Sequence, residues 1–166
     1  MTSQEKNICD PNNPSHLCDT ARKFVLQDKN EQGLDYIQRA VKLDPKNVTY
    51  LCLTGSVLIK LHRFKDARAY FLRAYELDLG CIQVIQGLGD CAFGEKDYTQ
   101  ALPFYEEVIA RSPELEPAFW TKSLCLYHLK RYKEARDSID ICMKLQLPPV
   151  IKEMLTKIKM RCDLGF

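Results

Sequence analysis

Eight cysteines, three histidines and one close pair of glycines are the residues of this chain whose chemistry could go beyond packing. Cysteine and histidine hold zinc best when two ligands come from one turn of chain, because such a pair fixes half of a tetrahedron. The cysteines stand at Cys9, Cys18, Cys52, Cys81, Cys91, Cys125, Cys142 and Cys162, and no two make a CxxC pair. Cys9, His16 and Cys18 come nearest to a ligand set, but they are three groups at loose spacing near a polar terminus. A disulfide framework needs a secretory context. The opening MTSQEKNICDPNN has no apolar segment that would serve as an export signal. The cysteines therefore read as reduced, small apolar residues of helices. His16, His62 and His128 lack a paired nucleophile or an orienting group, so none reads as a general base. Gly87-Leu88-Gly89 has no basic residue just after it to meet a phosphate. These residues predict no catalytic group, no metal and no cofactor.

Charge and hydropathy narrow the partners. Lys and Arg number 24 against 22 Asp and Glu, a formal charge of +2. So small an excess leaves no footprint for nucleic acid. No stretch approaches the ~18 consecutive apolar residues of a membrane span. A cytoplasmic location is the expectation, with residues 1–13 as a disordered polar tail.

The elements that carry these residues repeat. Gly55 and Gly89 are 34 residues apart, and the same step reaches Ala21 and Ser123, all small. Leu17, Leu51, Ile85 and Phe119 are all large and apolar. Gly33, Ala67, Ala101 and Ala135 are small; Ile37, Phe71, Tyr105 and Ile139 are large; Ala40, Ala74, Val108 and Cys142 are small to medium. Pro45, Leu79, Pro113 and Leu147 share a sixth column. Agreement in five columns at one fixed period is a repeat signal rather than chance composition. Leu51, Gly55 and Leu58 fall on one helical face, as do Ala67, Phe71 and Ala74. Small residues facing each other let two helices approach closely, and each hairpin leaves an apolar face for the next to cover.

This pattern resembles the tetratricopeptide repeat, with Trp, Leu-Gly, Tyr, Ala, Phe, Ala and Pro spread over 34 residues. The second unit matches with Leu51, Gly55, Leu58, Ala67, Phe71 and Ala74. The third matches with Ile85, Leu88-Gly89, Ala101, Tyr105, Val108 and Pro113. The resemblance implies an all-α, right-handed α-solenoid of four helix-turn-helix units at 14–47, 48–81, 82–115 and 116–149. Helix pairs are expected at 15–27 and 31–43, 48–61 and 64–77, 82–95 and 98–111, and 116–129 and 132–145. Asn47 and Asp97 are placed to cap two of them. Pro103 falls inside one and should bend it. After Pro148-Pro149, apolar Ile151, Met154, Leu155, Ile158 and Cys162 have helical spacing, so residues 150–166 read as a capping helix.

The resemblance also implies a concave groove lined by the first helix of each unit. Its positions hold Cys18 and Arg22; then Thr49, Cys52, Ser56, Ile59 and Lys60; then Gln83, Gln86, Asp90 and Phe93; then Trp120, Leu124, Tyr127 and His128. Trp120 should turn towards the groove and stand beside Tyr127 and Phe93. Relatives that grip the acidic tails of heat-shock chaperones use a clamp of Lys, Asn and Arg. The matching positions here hold Cys18, Arg22, Leu53, Gln83 and Gly87, or Cys52, Ser56, Gly87, Pro117 and Thr121, so such tails are not expected to bind. The implied function is a protein-interaction module, an adaptor or complex subunit, that takes a peptide or helix of a partner and allows self-association. A second class with similar repeats is the type III secretion translocator chaperone, which LGDCAFGEKDYTQA and SLCLYHLKRYKEA resemble.

Overall fold

The computed structural model describes residues 13–113 and 116–165. Their backbone forms helices paired as α1 (Pro14–Leu26) with α2 (Asn30–Leu43), α3 (Val48–Lys60) with α4 (Phe64–Leu77), α5 (Ile82–Gly94) with α6 (Tyr98–Arg111), and α7 (Glu116–His128) with α8 (Tyr132–Cys142), followed by α9 (Pro149–Leu164). No strand is present among the described residues. The bounds of α1 to α7 fall within one residue of the expected ones, α9 covers 149–164 where 150–166 was expected, and α8 stops at Cys142 instead of 145. There the Leu145 amide reaches back to Cys142 and the Leu147 amide to Leu145, both at 3.0 Å. That tight turn leaves Leu147 buried. Residues 1–12 of the expected tail lie outside the described residues. Asn13, assigned to that tail, is instead the N-cap of α1, its side chain accepting from the Ser15 amide at 2.9 Å. Asn47 and Asp97 cap α3 and α6 by accepting from the Tyr50 and Gln100 amides at 3.3 and 3.0 Å. Helix α6 continues past Pro103, which sits on an exposed face.

The chain divides into two compact units, Met1–Gly87 and Leu88–Phe166. In the first, α1 packs on α2, α2 on α3 and α3 on α4. The repeating columns are its core: Leu17, Ala21, Ile37, Ala40, Leu51, Ala67, Phe71, Ala74 and Ile85 are all 1% exposed or less. Phe71 carries the closest approach. A Cβ at Gly55 would lie 2.6 Å from the Phe71 ring, and one at Gly87 would collide with the ring from the other side. The ring is thus gripped between two glycines, one on its partner helix α3 and one on α5.

In the second unit, α6 packs on α7, α7 on α8 and α8 on α9. Tyr105 takes the place of Phe71 and lies against Gly89, where a Cβ would sit 3.3 Å from the ring. In the last hairpin Ser123 and Ser138, both buried, share a hydrogen bond of 3.1 Å between facing helices. The far side of that hairpin is closed by α9. Leu155 of α9 joins Ile139, Cys142 and Leu147, with Ile151, Met154 and Ile158 packed around them. Ion pairs Arg136–Asp163, at 3.2 Å, and Lys159–Asp140 brace α8 against α9.

All four hairpin turns share one backbone device. Asp28, His62, Lys96 and Lys130 recur at the 34-residue step and have φ between 57° and 62°. After Lys96, the Asp97 amide reaches back to Ala92 at 2.9 Å while the Lys96 amide reaches Phe93 at 2.9 Å. The other turns repeat this pairing of bonds. It is the helix ending that glycine usually serves, since a left-handed conformation strains an L side chain.

Two outcomes follow. Gly87→Ala should lower stability by about 1–3 kcal/mol, because the added methyl overpacks Phe71 by more than the ~1 kcal/mol gained in helix propensity. Urea titration should show the loss, and an unchanged midpoint would mean the ring has room to move. Lys96→Gly should raise stability by up to about 1 kcal/mol by relieving the left-handed strain. Asp28→Gly should gain less, since Asp tolerates that conformation better; thermal melts of the two variants side by side decide it.

Candidate protein-interaction surfaces

In the first unit the anticipated groove residues differ in what they present. Cys18 was expected on the groove and is instead buried, at 3% exposure. It lies one residue after Leu17, at the edge of the apolar stripe of α1, and both side chains enter the core. Arg22 is exposed and pairs with Asp19 at 3.8 Å. Thr49, Ser56, Lys60 and Gln83 are exposed, while Cys52, Ile59 and Gln86 are half-buried. Here the Cys81 thiol donates to Gln83 Oε1 at 3.2 Å, and burial above all pushes the Cys52 thiol up to about 12.

In the second unit the structure assembles a row of rings. Phe93 of α5 meets Tyr98 of α6 edge to face at 5.4 Å. Tyr98 stacks on His128 of α7 at 4.3 Å, nearly parallel. His128 meets Tyr127 at 5.6 Å, and Tyr127 meets Tyr132 of α8 at 5.9 Å. Phe93, Tyr98, Tyr127 and Tyr132 are half-buried and His128 is exposed. Partial burial and then the nearby Lys96 charge hold the His128 imidazole below its ordinary value. Tyr98 and Tyr132 were missed by the sequence reading, though they stand 34 apart in a column that also holds Phe64. They open the second helix of their hairpins, and only first helices were assigned to the groove.

Trp120 is not in that row. It was expected to stand beside Tyr127 and Phe93, but it packs half-buried with Phe119 against the cluster of Ile139, Cys142, Leu147 and Leu155. The apolar face of α9 needs a partner, and the indole helps to supply it. Leu124 is half-buried. Two further concave surfaces, each of about 360 Å³, were not anticipated. One lies among Phe119, Lys122, Leu126, Glu134 and Ile141, and the other runs along α9 by Val150, Met154 and Ile158.

Asp90, also assigned to the groove, points its carboxylate inward. Tyr105 Oη donates to Asp90 Oδ1 at 2.7 Å. Burial raises the carboxyl above its usual range, and the Tyr105 hydrogen bond draws it part of the way back. Burial and the neighbouring carboxylate push the Tyr105 hydroxyl far above its ordinary value, so it stays protonated and donates.

Among the described residues, no three His, Cys, Asp or Glu side chains gather into a metal-binding group, and no helix is long and apolar enough to cross a membrane. His16 and Cys18 lie on α1, and Cys9 falls outside the described residues.

Tetratricopeptide-repeat family models match residues 18–79 and 82–115, together more than half of the chain. The chain belongs to the tetratricopeptide-repeat family. Solved structures agree on the fold. A tetratricopeptide repeat protein from Parabacteroides merdae superimposes with a TM-score of 0.74 at 15% identity, over 92% of this chain and 60% of that one. MamA from Desulfovibrio magneticus RS-1 gives 0.79 at 17% identity, over 90% and 85%. YrrB, a repeat protein of this family with an unusual peptide-binding site, gives 0.70 at 16%, over 86% and 74%. No curated protein matches the sequence. As a tetratricopeptide-repeat array, the chain has a fold whose common use is protein–protein interaction.

The raised Asp90 carboxyl makes a signed prediction. The folded chain keeps this proton to a higher pH than the unfolded chain, whose value is 3.8. Between the two values the native state binds more protons, so stability falls as pH rises, and the full cost applies above the folded value. Asp90→Asn keeps an acceptor for Tyr105 and removes the charge. It should melt higher than the native chain at neutral pH, and the gap should close as pH falls towards 3.8. A gap of the same size at every pH would assign the effect to something other than the carboxylate.

Proposed function

We propose that this tetratricopeptide-repeat chain is an adaptor or complex subunit whose second unit docks an extended segment or short helix of a partner protein. The observation that carries the reading is the row of Phe93, Tyr98, His128, Tyr127 and Tyr132. These rings lie outside the buried columns that hold the hairpins together. Successive ring faces and edges offer flat apolar contact with hydroxyls at the margin, which suits proline or apolar anchors on a partner chain. Lys96, close enough to act on His128, adds positive charge beside the row. Acidic residues flanking the anchors would be favoured for that reason.

The first unit adds a more polar surface through Ser56, Gln83 and Gln86, with Cys52 and Ile59 half-buried beside them. Amides and hydroxyls of this kind can pair with the backbone of a bound segment. YrrB, which shares the fold, carries a peptide-binding site of its own. A cytoplasmic location and a non-enzymatic role accord with this reading. No observation favours the secretion-chaperone alternative over it.

Selection of a random peptide library on the immobilised protein tests the proposal. Enriched peptides should carry aromatic or proline anchors. Tyr127→Ala should weaken them about tenfold or more, the ~1.4 kcal/mol or greater expected of an anchor pocket, while the melting temperature moves little. Peptides that bind the variant as tightly as the native chain would remove the ring row from the site.

A further inference from the structure

Two open apolar surfaces of the second unit carry opposite charge. The first is the cleft bounded by α6, α7 and α8, where Ile109, Phe119 and Ile141 supply apolar walls. Ile141 is 50% exposed. The charged residues of this cleft are Lys122, Glu134 and Asp137. Lys122 is held by Glu106 at 3.1 Å and Glu134 by Arg131 at 2.6 Å. Asp137 has no ion-pair partner among the described residues, so the cleft keeps one uncompensated negative charge.

The second surface is the face of α9 turned away from buried Leu155. Val150, Met154 and Ile158 line it, and Val150 is 76% exposed. Its charged residues are Glu153, Lys157 and Arg161. Lys157 is held by Glu153 at 2.6 Å. Arg161 has no ion-pair partner among the described residues and leaves this face one uncompensated positive charge.

We propose that the chain forms a two-fold dimer in which α9 of each copy lies in the α6–α7–α8 cleft of the other. Val150, Met154 and Ile158 would then cover Ile109, Phe119 and Ile141, and Arg161 would meet Asp137 of the second copy. Each surface is suited to the other and not to its own image. Two α9 faces brought together would oppose Lys157 and Arg161 to one another, and two clefts would oppose Glu134 and Asp137. Like charges set against each other in this way are costly.

The fold also lets both contacts form at once. Helix α8 is a wall of the cleft and the helix on which α9 packs, so both surfaces flank one helix. A two-fold axis beside α8 makes each contact twice, the self-complementary arrangement that closes a dimer. Doubling the contact brings it towards the ~1,200 Å² of total buried surface that specific interfaces need. The dimer uses none of the ring row and is independent of what docks there.

The test is sedimentation of the full chain, kept reduced, over a series of protein concentrations. A monomer–dimer equilibrium is expected, weakened by added salt. Asp137→Arg and Arg161→Asp should each weaken the dimer about tenfold or more, because each sets like charges together in both contacts. An equal mixture of these two variants should dimerise as the native chain does, since a mixed pair has opposite charges at both contacts. Val150→Asp should weaken the dimer with no rescue by mixing. All three positions are exposed, so thermal melts of the variants should match the native chain at concentrations where all are monomeric. A chain that stays monomeric at every concentration would overturn the proposal. So would a dimer that Asp137→Arg leaves intact, a mixture no more dimeric than its components, or assemblies that grow past the dimer.

Discussion

One large ring pressed against a residue with no side chain sets the geometry of each central hairpin. Phe71 lies against Gly55 within its own pair and against Gly87 on the helix that follows. Tyr105 repeats the contact with Gly89. Helices can come this close only where a Cβ is missing or minimal. The ring then fills the space that the close approach would otherwise leave as a void, which interiors packed at crystal density do not tolerate. The remaining buried columns follow from this distance. Ala67, Ala74 and Ala101 are fully buried because larger residues would force apart helices that the ring contact holds together.

Closing the hairpins with few residue types leaves other positions unconstrained. The Phe93–Tyr98–His128–Tyr127–Tyr132 row occupies such positions, at the ends of first helices and the starts of second ones. Its rings meet because each turn is tight, and the turn is tight because Lys96 and Lys130 accept a left-handed backbone. The same economy explains Asp90. Its carboxylate is carried inward by the helix that also carries Gly89, and the Tyr105 hydroxyl at 2.7 Å compensates part of its lost hydration. A hydroxyl in place of the Phe71 edge is therefore a polar solution to a polar neighbour.

The 34-residue period was enough to place the helices, and the bounds differ by one residue at most until α8. Size class at fixed spacing is a local property that survives changes of residue identity, so Leu, Ile and Phe are equivalent in one column and Gly, Ala and Ser in another. Two features depended on contacts that no spacing records. Gly87 lies outside the repeating small-residue columns, and its missing Cβ makes room for Phe71 from the preceding hairpin. Trp120 is one residue from a core column, and helical rotation alone turned it outward; in the structure it packs half-buried against the cluster that α9 completes. The sequence by itself determined which residues repeat and therefore the helical array. Tertiary structure alone decided which neighbours meet across hairpins, because those pairings are set by packing distance and the need to cover apolar ends.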